Sequence, residues 1–274
     1  MKTICDKRLV FITPAFLSGA NQNQPEIRVP SIRGAIRWWF RVLGGTPEQE
    51  ASVFGGVHGG AQASKVLLRV EAVQINRGET IRAPQGAPRG YLYYFATVSG
   101  NKDGVHRTEQ GHYVAPDSSF RLKVFLRQEL AEEDEALLLL AIDAFLALGS
   151  LGLRATRGCG AFAVDEASCR DEFLAWIDSL PDSVFVGLVN SEVYPTAQEC
   201  QSALSVFLKD MRRKTQCSGK KQSAFGFSLG KARESSALKL RPVKVREGYL
   251  PVVIYSDAAC GQRSQLDAVR KACV

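Results

Sequence analysis

The chain has 274 residues, and 45% of them are hydrophobic, which is enough for one large globular domain or two small ones. Its net charge of +7 favours a polyanionic partner, and its seven scattered cysteines contain no Cys-x-x-Cys pair, which argues against a zinc site and a disulfide scaffold. The N-terminus shows no signal-peptide pattern and no apolar run is long enough to cross a membrane, so we expect a cytoplasmic protein with reduced thiols.

The first predicted elements are a strand and an amphipathic helix. Residues 9–13 form a short apolar strand, and a polar loop at 18–25 follows it. Residues 31–43 then predict a helix with two separate faces, since side chains advance by about 100° per residue. The apolar face consists of Ile32, Ile36, Trp39 and Leu43, and the basic face consists of Arg33, Arg37 and Arg41.

The start of this helix has the features of an anion site. Ser31 follows Pro30 and is predicted to cap the helix, so that the N–H groups of the first turn point toward a ligand. No Asp or Glu occurs between Glu26 and Glu48, so the sequence offers the three arginines no nearby acidic partner. An ordinary solvated helix face remains an alternative, but the missing acids favour an external polyanion.

The next elements complete a known order of strands and helices. Strands are predicted at 65–74 and 91–98, a second helix at 129–148 and a further strand at 161–164. Together with the first strand and helix, they give the βαββαβ order of an α+β domain of the ferredoxin-like, RNA-recognition type. We therefore assign residues 1–165 to such a domain.

The remaining residues, 166–274, predict a smaller α+β domain. A helix is expected at 197–214, and a hairpin at 238–246 and 249–255. The helix leads into a small, polar, basic loop that carries Lys220 and Lys221. These lysines are candidates for phosphate contacts, and a solvated charge run explains them equally well.

A glycine-rich segment follows the second helix. Residues 149–160 hold four glycines together with Arg154 and Arg157. Glycine allows positive φ angles and close approach between backbones, and the arginines add charge at that approach. A helix C-cap and a tight turn explain the first two glycines without a ligand, but they explain the second two less well.

Four segments resemble the RAMP superfamily of CRISPR proteins, and most closely the first subunit of the Cmr RAMP module of the type III-B effector complex. They are residues 13–20, 26–41, 54–55 and 151–160. The resemblance implies a ferredoxin-like core, a smaller and degenerate second ferredoxin-like domain, and a place near one end of a filament of RAMP subunits. It also implies binding of CRISPR guide RNA, or of its duplex with target RNA, mainly through phosphates and shape.

The resemblance also implies which residues contact the RNA. They are Ser31, Arg33, Arg37 and Arg41 on the helix, with Arg154 and Arg157 in the glycine-rich segment. No metal or cofactor is expected. The chain departs from the family in two ways: its second domain is shorter, and residues 13–25 contain no acid to match the aspartate of the subunit that cleaves target RNA.

We therefore expect a subunit that binds RNA without cleaving it, and two other classes stay open. A metal-independent RAMP endoribonuclease that processes precursor CRISPR RNA would need a general base, for which the chain offers His58, His106 and His112. A purely structural subunit would contact only its neighbours in the complex. Trp38 has two interpretations as well, stacking on a base or packing in the core.

Overall fold

The computed structural model describes residues 1–21, 23–57, 61–82, 90–93, 97–98, 105–108, 112–216, 223–229, 232–256 and 263–274. The strands are β1 (Lys2–Phe11), β2 (Val66–Gln74), β3 (Arg77–Gly78), β4 (Thr80–Arg82), β5 (Thr97–Val98), β6 (Val105–Thr108), β7 (Tyr113–Val114), β8 (Ser119–Leu126), β9 (Phe162–Val164), β10 (Val184–Leu188), β11 (Phe227–Leu229), β12 (Ala232–Glu234), β13 (Lys239–Val245) and β14 (Gly248–Ser256). The helices are α1 (Val29–Val42), α2 (Pro47–Phe54), α3 (Gly90–Tyr93), α4 (Glu132–Leu148), α5 (Arg170–Asp178), α6 (Ala197–Lys214) and α7 (Arg263–Ala272).

The first part of the chain builds a four-stranded antiparallel sheet in the order β2-β8-β1-β9. Helices α1 and α4 pack against each other beside this sheet. Their apolar side chains meet those of the strands in one core, which includes Ile36, Phe120 and Phe145. Strand β8 pairs with β1 on one side and β2 on the other, and its alternate residues are apolar and buried, so one of its faces packs on the core.

One predicted strand of this sheet is wrong. The third strand of the core is β8, whereas residues 90–93 within the aromatic segment form the short helix α3. The aromatic composition of residues 91–98 favoured a strand, but Phe120, Leu122 and Val124 carry the period-two pattern that one buried face requires. The first strand also begins earlier than predicted, at Lys2.

The second part builds a three-stranded antiparallel sheet in the order β10-β14-β13. The predicted hairpin is confirmed by the pairing of β13 with β14, and the predicted helix at 197–214 is confirmed by α6. Pro242 lies on β13, the edge strand, where a missing N–H group is tolerated. Helices α5 and α7 were not predicted, and α7 buries Leu266 and Val269.

The two sheets share a hydrophobic core. Phe162 of β9, Val243 of β13 and Val252 of β14 belong to the same cluster of buried side chains. The boundary assigned near residue 165 falls in the segment between β9 and α5. Within the described parts of the chain, no helix combines the length and the apolar character that a bilayer span requires.

Candidate nucleic-acid interface

Helix α1 begins two residues earlier than the sequence suggests. Arg28 is its N-cap residue and makes no side-chain cap, and the N–H groups of Ser31 and Ile32 donate to the Arg28 carbonyl oxygen at 3.1 and 3.2 Å. The prediction that Ser31 caps the helix is therefore wrong. The first turn accepts Pro30 because proline needs no N–H partner there, so the helix extends through it.

The two faces of α1 are confirmed. Ile32, Ile36 and Trp39 are buried, with at most 1% of each side chain exposed. The arginines lie on the other side of the helix, and Arg37 and Arg41 keep 39% and 47% of their side chains exposed. Burial of the apolar face thus turns the arginines outward.

The prediction that these arginines lack an acidic partner is wrong. Glu50 Oε1 accepts a hydrogen bond from Arg37 Nε at 2.6 Å and another from Arg41 Nη1 at 2.6 Å. Glu50 lies on α2, which the sequence analysis missed, and only 10% of its side chain is exposed. The absence of acids between Glu26 and Glu48 was misleading because the partner lies just beyond that interval.

A local signal for α2 was present in the sequence. Thr46 Oγ1 accepts from the Gln49 N–H group at 3.2 Å, and Gln49 Oε1 accepts from the Thr46 N–H group at 3.0 Å. This capping box, followed by Pro47 in the first turn, marks a helix start. It would have placed Glu50 on a helix, whereas the contact of that helix with α1 depends on tertiary packing.

Arg33 completes the basic face through a different contact. Its Nη2 donates to the carbonyl oxygen of Phe54, the last residue of α2. Burial, together with the positive charge of Arg37, lowers the pKa of the Arg33 guanidinium from its usual value. A guanidinium nevertheless stays charged at neutral pH, so Arg33 and Arg37 present two neighbouring cations.

We call Arg33, Arg37, Arg41 and Glu50 the α1 arginine cluster. It contains three guanidinium groups and one carboxylate, which leaves an excess of positive charge. Each guanidinium has five N–H donors, and the contacts described above use only one from each arginine. The cluster is therefore held in place by Glu50 and Phe54 and can still donate hydrogen bonds to a phosphate.

The glycine-rich segment is a tightly packed turn. Gly152, Gly158 and Gly160 have φ angles of +92°, +75° and +66°, in the left-handed region that favours glycine. A Cβ atom on Gly160 would lie 1.8 Å from the Leu151 carbonyl oxygen. Positive φ angles favour glycine at all three positions, and close backbone approach within the protein adds to this at Gly152 and Gly160.

Arg157 and Arg154 contact protein groups in this segment. Arg157 is 5% exposed, and its guanidinium donates to the Phe225 carbonyl oxygen and, at 3.2 Å, to Ser236 Oγ. Arg154 Nε donates to the Leu92 carbonyl oxygen at 2.9 Å. We leave Arg157 out of the RNA-contacting set because its guanidinium is buried against the second part of the chain.

Two basic residues of β13 also link the two parts of the molecule. Arg241 is 1% exposed and donates to the carbonyl oxygens of Gly149 and Phe162. The Lys239 ammonium lies 3.1 Å from the centre of the Trp38 ring, and burial lowers the pKa of Lys239 to about 7. We call Arg157, Lys239 and Arg241 the intersheet basic group. Trp38 therefore contacts a lysine within the protein.

The remaining candidates lie mostly outside the described residues. Lys220, Lys221 and His58 are outside them, and His106 lies on β6, where only the backbone is described. Nδ1 of His112 is buried and has no hydrogen-bond partner within the described parts of the chain.

Comparisons with known proteins were made for the sequence and for the fold. A family model of the RAMP superfamily matches residues 8–163. The CRISPR system Cmr subunit Cmr1-1 of Pyrococcus furiosus is 30% identical over 153 residues, which are 53% of this chain and 42% of that protein. The Cmr subunit Cmr1-2 of the same organism is 28% identical over 172 residues, 56% of this chain and 90% of that protein. The match thus spans less than half of Cmr1-1.

Two solved structures share the fold. The crystal structure of Cmr1 from Pyrococcus furiosus in its apo form has a TM-score of 0.62 at 22% identity, with 92% of this chain and 87% of that chain covered. A chain in the cryo-EM structure of type III-B Cmr-beta bound to cognate target RNA has a TM-score of 0.57 at 12% identity, with 93% and 94% covered.

Proposed function

The chain belongs to the RAMP superfamily, and from this membership we propose that it is an RNA-binding, non-catalytic subunit of a type III-B CRISPR effector complex. It binds guide RNA, or the duplex of guide and target RNA, near one end of a filament of RAMP subunits. The match of the RAMP family model to residues 8–163 and the likeness to two Cmr1 proteins support this assignment.

We further propose that residues 1–165 form a ferredoxin-like domain. Their core elements follow the order β1, α1, β2, β8, α4, β9 along the chain. The sheet order β9-β1-β8-β2 supports the proposal, because the outer strands are the second and the last of the four along the chain. Residues 166–274 form the smaller second domain.

The α1 arginine cluster is the observation that carries the proposal. The cluster holds three guanidinium groups and one carboxylate, which pairs with Arg37 and Arg41, and the side chains of these two arginines are partly exposed. A guide RNA must function with any spacer, so its protein contacts go to phosphates and not to base edges. Arginine suits this role because its planar fork matches phosphate oxygens.

The direct test removes the three cations together. In an R33A/R37A/R41A variant, binding of unrelated single-stranded RNAs should weaken about equally, because phosphates carry no sequence information. The slope of log affinity against log salt should fall by about 2, at roughly 0.7 for each lost phosphate contact. Fluorescence anisotropy of labelled RNA at several salt concentrations measures both quantities.

A matched control separates a specific site from net charge. The variant R8A/R121A/R246A also loses three positive charges, but each of these arginines is exposed and paired with its own acid. It should bind RNA nearly as well as the wild type. Equal loss in both triple variants would show that only net charge matters and would remove the α1 arginine cluster from the site.

The two other classes lead to different results in the same assays. A RAMP endoribonuclease would cut repeat-containing RNA at one defined position in the presence of a chelator, and such a cut would contradict the non-catalytic assignment. A purely structural subunit would bind no RNA as an isolated chain at low salt. The excess positive charge of the α1 arginine cluster favours an RNA-binding subunit over a purely structural one.

A further inference from the structure

A cleft of about 660 Å³ lies between the segments that follow β1 and precede β8 and the start of helix α6. Pro14 and Tyr113 line it from the first part of the chain, and Thr196, Gln198 and Tyr249 line it from the second. Its volume is within the range of about 300–1,000 Å³ that is typical of small-molecule sites. The cleft shares none of its described lining with the α1 arginine cluster.

The chemistry of the lining favours a planar, uncharged ligand. The side chains include aromatic rings, prolines and carboxamides, and the one charged residue of the described lining is Asp117. A phosphate would meet this carboxylate with no Lys or Arg in the described lining to offset it. A nucleobase fits better, because it combines an apolar face for stacking with hydrogen-bonding edges.

The floor of the cleft is held by buried hydrogen bonds. Tyr93 Oη donates to Gln201 Oε1 at 2.8 Å, and Gln201 Nε2 donates to the Gly158 carbonyl oxygen at 2.7 Å. Tyr93 and Gln201 are 2% and 0% exposed. The floor is therefore fixed by the glycine-rich segment, which connects the cleft to the motif shared with the RAMP family.

Tyr249 is placed to stack on a base. Its backbone is anchored by two hydrogen bonds of 2.9 Å with Tyr194, and Lys244 Nζ lies 4.5 Å from the centre of its ring. Burial and the negative charge of Asp117 raise the pKa of the Tyr249 hydroxyl, so this ring is neutral at physiological pH. A neutral ring, only partly buried, presents an aromatic surface to the cleft.

The rim supplies partners for the polar edge of a base. Asp117 is exposed, and its carboxylate accepts hydrogen bonds of the kind that exocyclic amino groups donate. Helix α6 begins at the rim with Thr196 as its N-cap, and this end of the helix carries partial positive charge that attracts carbonyl oxygens. The rim therefore has both an acceptor and a donor end.

We propose that this cleft holds one unpaired nucleobase of the bound RNA, stacked on Tyr249 with its polar edge between Asp117 and the first turn of α6. The proposal rests on the RNA-binding function proposed above. It adds a contact with a base to the phosphate contacts proposed for the α1 arginine cluster.

The first arm of the test uses ligands without phosphate. Adenosine, guanosine, cytidine and uridine are titrated against the full chain by calorimetry. We expect at least one nucleoside to bind the wild type and Y249F, and to bind Y249A about 5- to 100-fold more weakly, because Y249F keeps the ring. No binding of any nucleoside, or equal binding to Y249A, would overturn the proposal.

Substitutions at the rim keep the test decisive if Y249A does not fold. Asp117 has a φ angle of +66°, which asparagine tolerates well, so D117N should fold normally. We expect D117N to change the order of preference among the four nucleosides, because a carboxamide donates as well as accepts. An unchanged order and unchanged affinities would count against a base at this rim.

The second arm uses RNA and separates the two proposals. An RNA with one abasic nucleotide at each position in turn should lose affinity at one position for the wild type, and at none for Y249A. If the wild type binds RNA through the α1 arginine cluster but shows no such position, the base site is wrong and the proposed function stands. If nucleosides bind the cleft but RNA does not bind the chain, the ligand is a free nucleoside or nucleobase, and both proposals about RNA fail.

Discussion

The α1 arginine cluster and the intersheet basic group differ in what surrounds each positive charge. In the cluster, Arg37 and Arg41 share the Glu50 carboxylate and keep 39% and 47% of their side chains exposed. In the intersheet group, Arg157 and Arg241 are 5% and 1% exposed and donate to backbone carbonyl oxygens. The first arrangement leaves donors available to a ligand, whereas the second directs them into the protein.

This difference shows that basic residues near a predicted RNA path serve two purposes. The intersheet basic group holds the first part of the chain to the second, since each of its contacts joins residues of the two parts. The α1 arginine cluster is preorganised by protein contacts but is not covered by them. Four measurements test this distinction.

Removal of Arg241 should have the largest effect. R241A leaves the carbonyl oxygens of Gly149 and Phe162 without their partner and opens a cavity, so we expect a loss of about 3–5 kcal/mol in the free energy of unfolding. Urea unfolding measures it. The control R246A removes an exposed arginine paired with Glu172 and should cost less than about 1 kcal/mol. Similar losses in both variants would contradict the role of Arg241.

Arg157 and Arg37 should respond in opposite ways. R157A should lower the free energy of unfolding by about 2–3 kcal/mol, because it removes the hydrogen bonds from this buried guanidinium to the Phe225 carbonyl oxygen and Ser236 Oγ and opens a cavity, and it should leave the RNA affinity of the folded protein unchanged. R37A should reduce the salt slope of RNA binding by about 0.7 with little change in stability. Chemical unfolding and anisotropy on the same samples measure both. The reverse pattern would assign Arg157 to the RNA surface.

Lys239 should make stability depend on pH. Burial lowers the pKa of its ammonium to about 7 in the folded chain, below the ordinary lysine value of 10.5. Between these values the unfolded chain binds more protons, so the free energy of unfolding should rise with pH by up to about 1.4 kcal/mol per unit. It should show no such rise from Lys239 below about pH 7, where both states are protonated.

The variant K239M isolates this contribution. The urea midpoint of the wild type minus that of K239M should increase from pH 7 to pH 9 if Lys239 is neutral in the folded chain. A flat difference would mean that the Trp38 ring, 3.1 Å from the ammonium, keeps Lys239 charged through its attraction for cations.

Substitution of Glu50 should have the smallest effect on stability and RNA affinity. It tests directly whether the α1 arginine cluster is available to a ligand. E50Q keeps an oxygen for Arg37 and Arg41 but removes the negative charge that competes with phosphate. We expect RNA affinity to rise a few-fold and the free energy of unfolding to fall by about 1 kcal/mol. Loss of RNA affinity would instead show that the carboxylate positions the arginines. The control is E48Q, which removes a negative charge from an exposed position of α2.

Elements with strong local patterns were predicted well. The two faces of α1, the helix at 197–214 and the hairpin of β13 and β14 follow from periodicity and turn residues in short windows. The third strand of the first sheet was misplaced, because residues 91–98 have the composition of a strand while β8 has the alternation. Composition is a weaker signal than period two when one face of a strand must be buried.

The candidate site was predicted in part. The grouping of Arg33, Arg37 and Arg41 follows from helical geometry, but the partnership with Glu50 depends on the packing of α2 against α1. The role proposed for Tyr249 in the cleft was not predicted, since the cleft forms only where the start of α6 meets the segments that follow β1 and precede β8. No pattern in a short stretch of sequence predicts which distant elements pack together.

Sequence periodicity was sufficient to establish which side chains share a face, because the α-helix and the β-strand repeat over a few residues. It could not establish whether a given basic residue faces solvent or protein. Arg241 and the Gly149 carbonyl oxygen are 92 residues apart, and Arg157 and the Phe225 carbonyl oxygen are 68 apart. Such contacts form only when the two parts of the chain pack together. Arg157 and Arg241 are buried there, so their guanidinium groups donate to carbonyl oxygens and stabilise the fold.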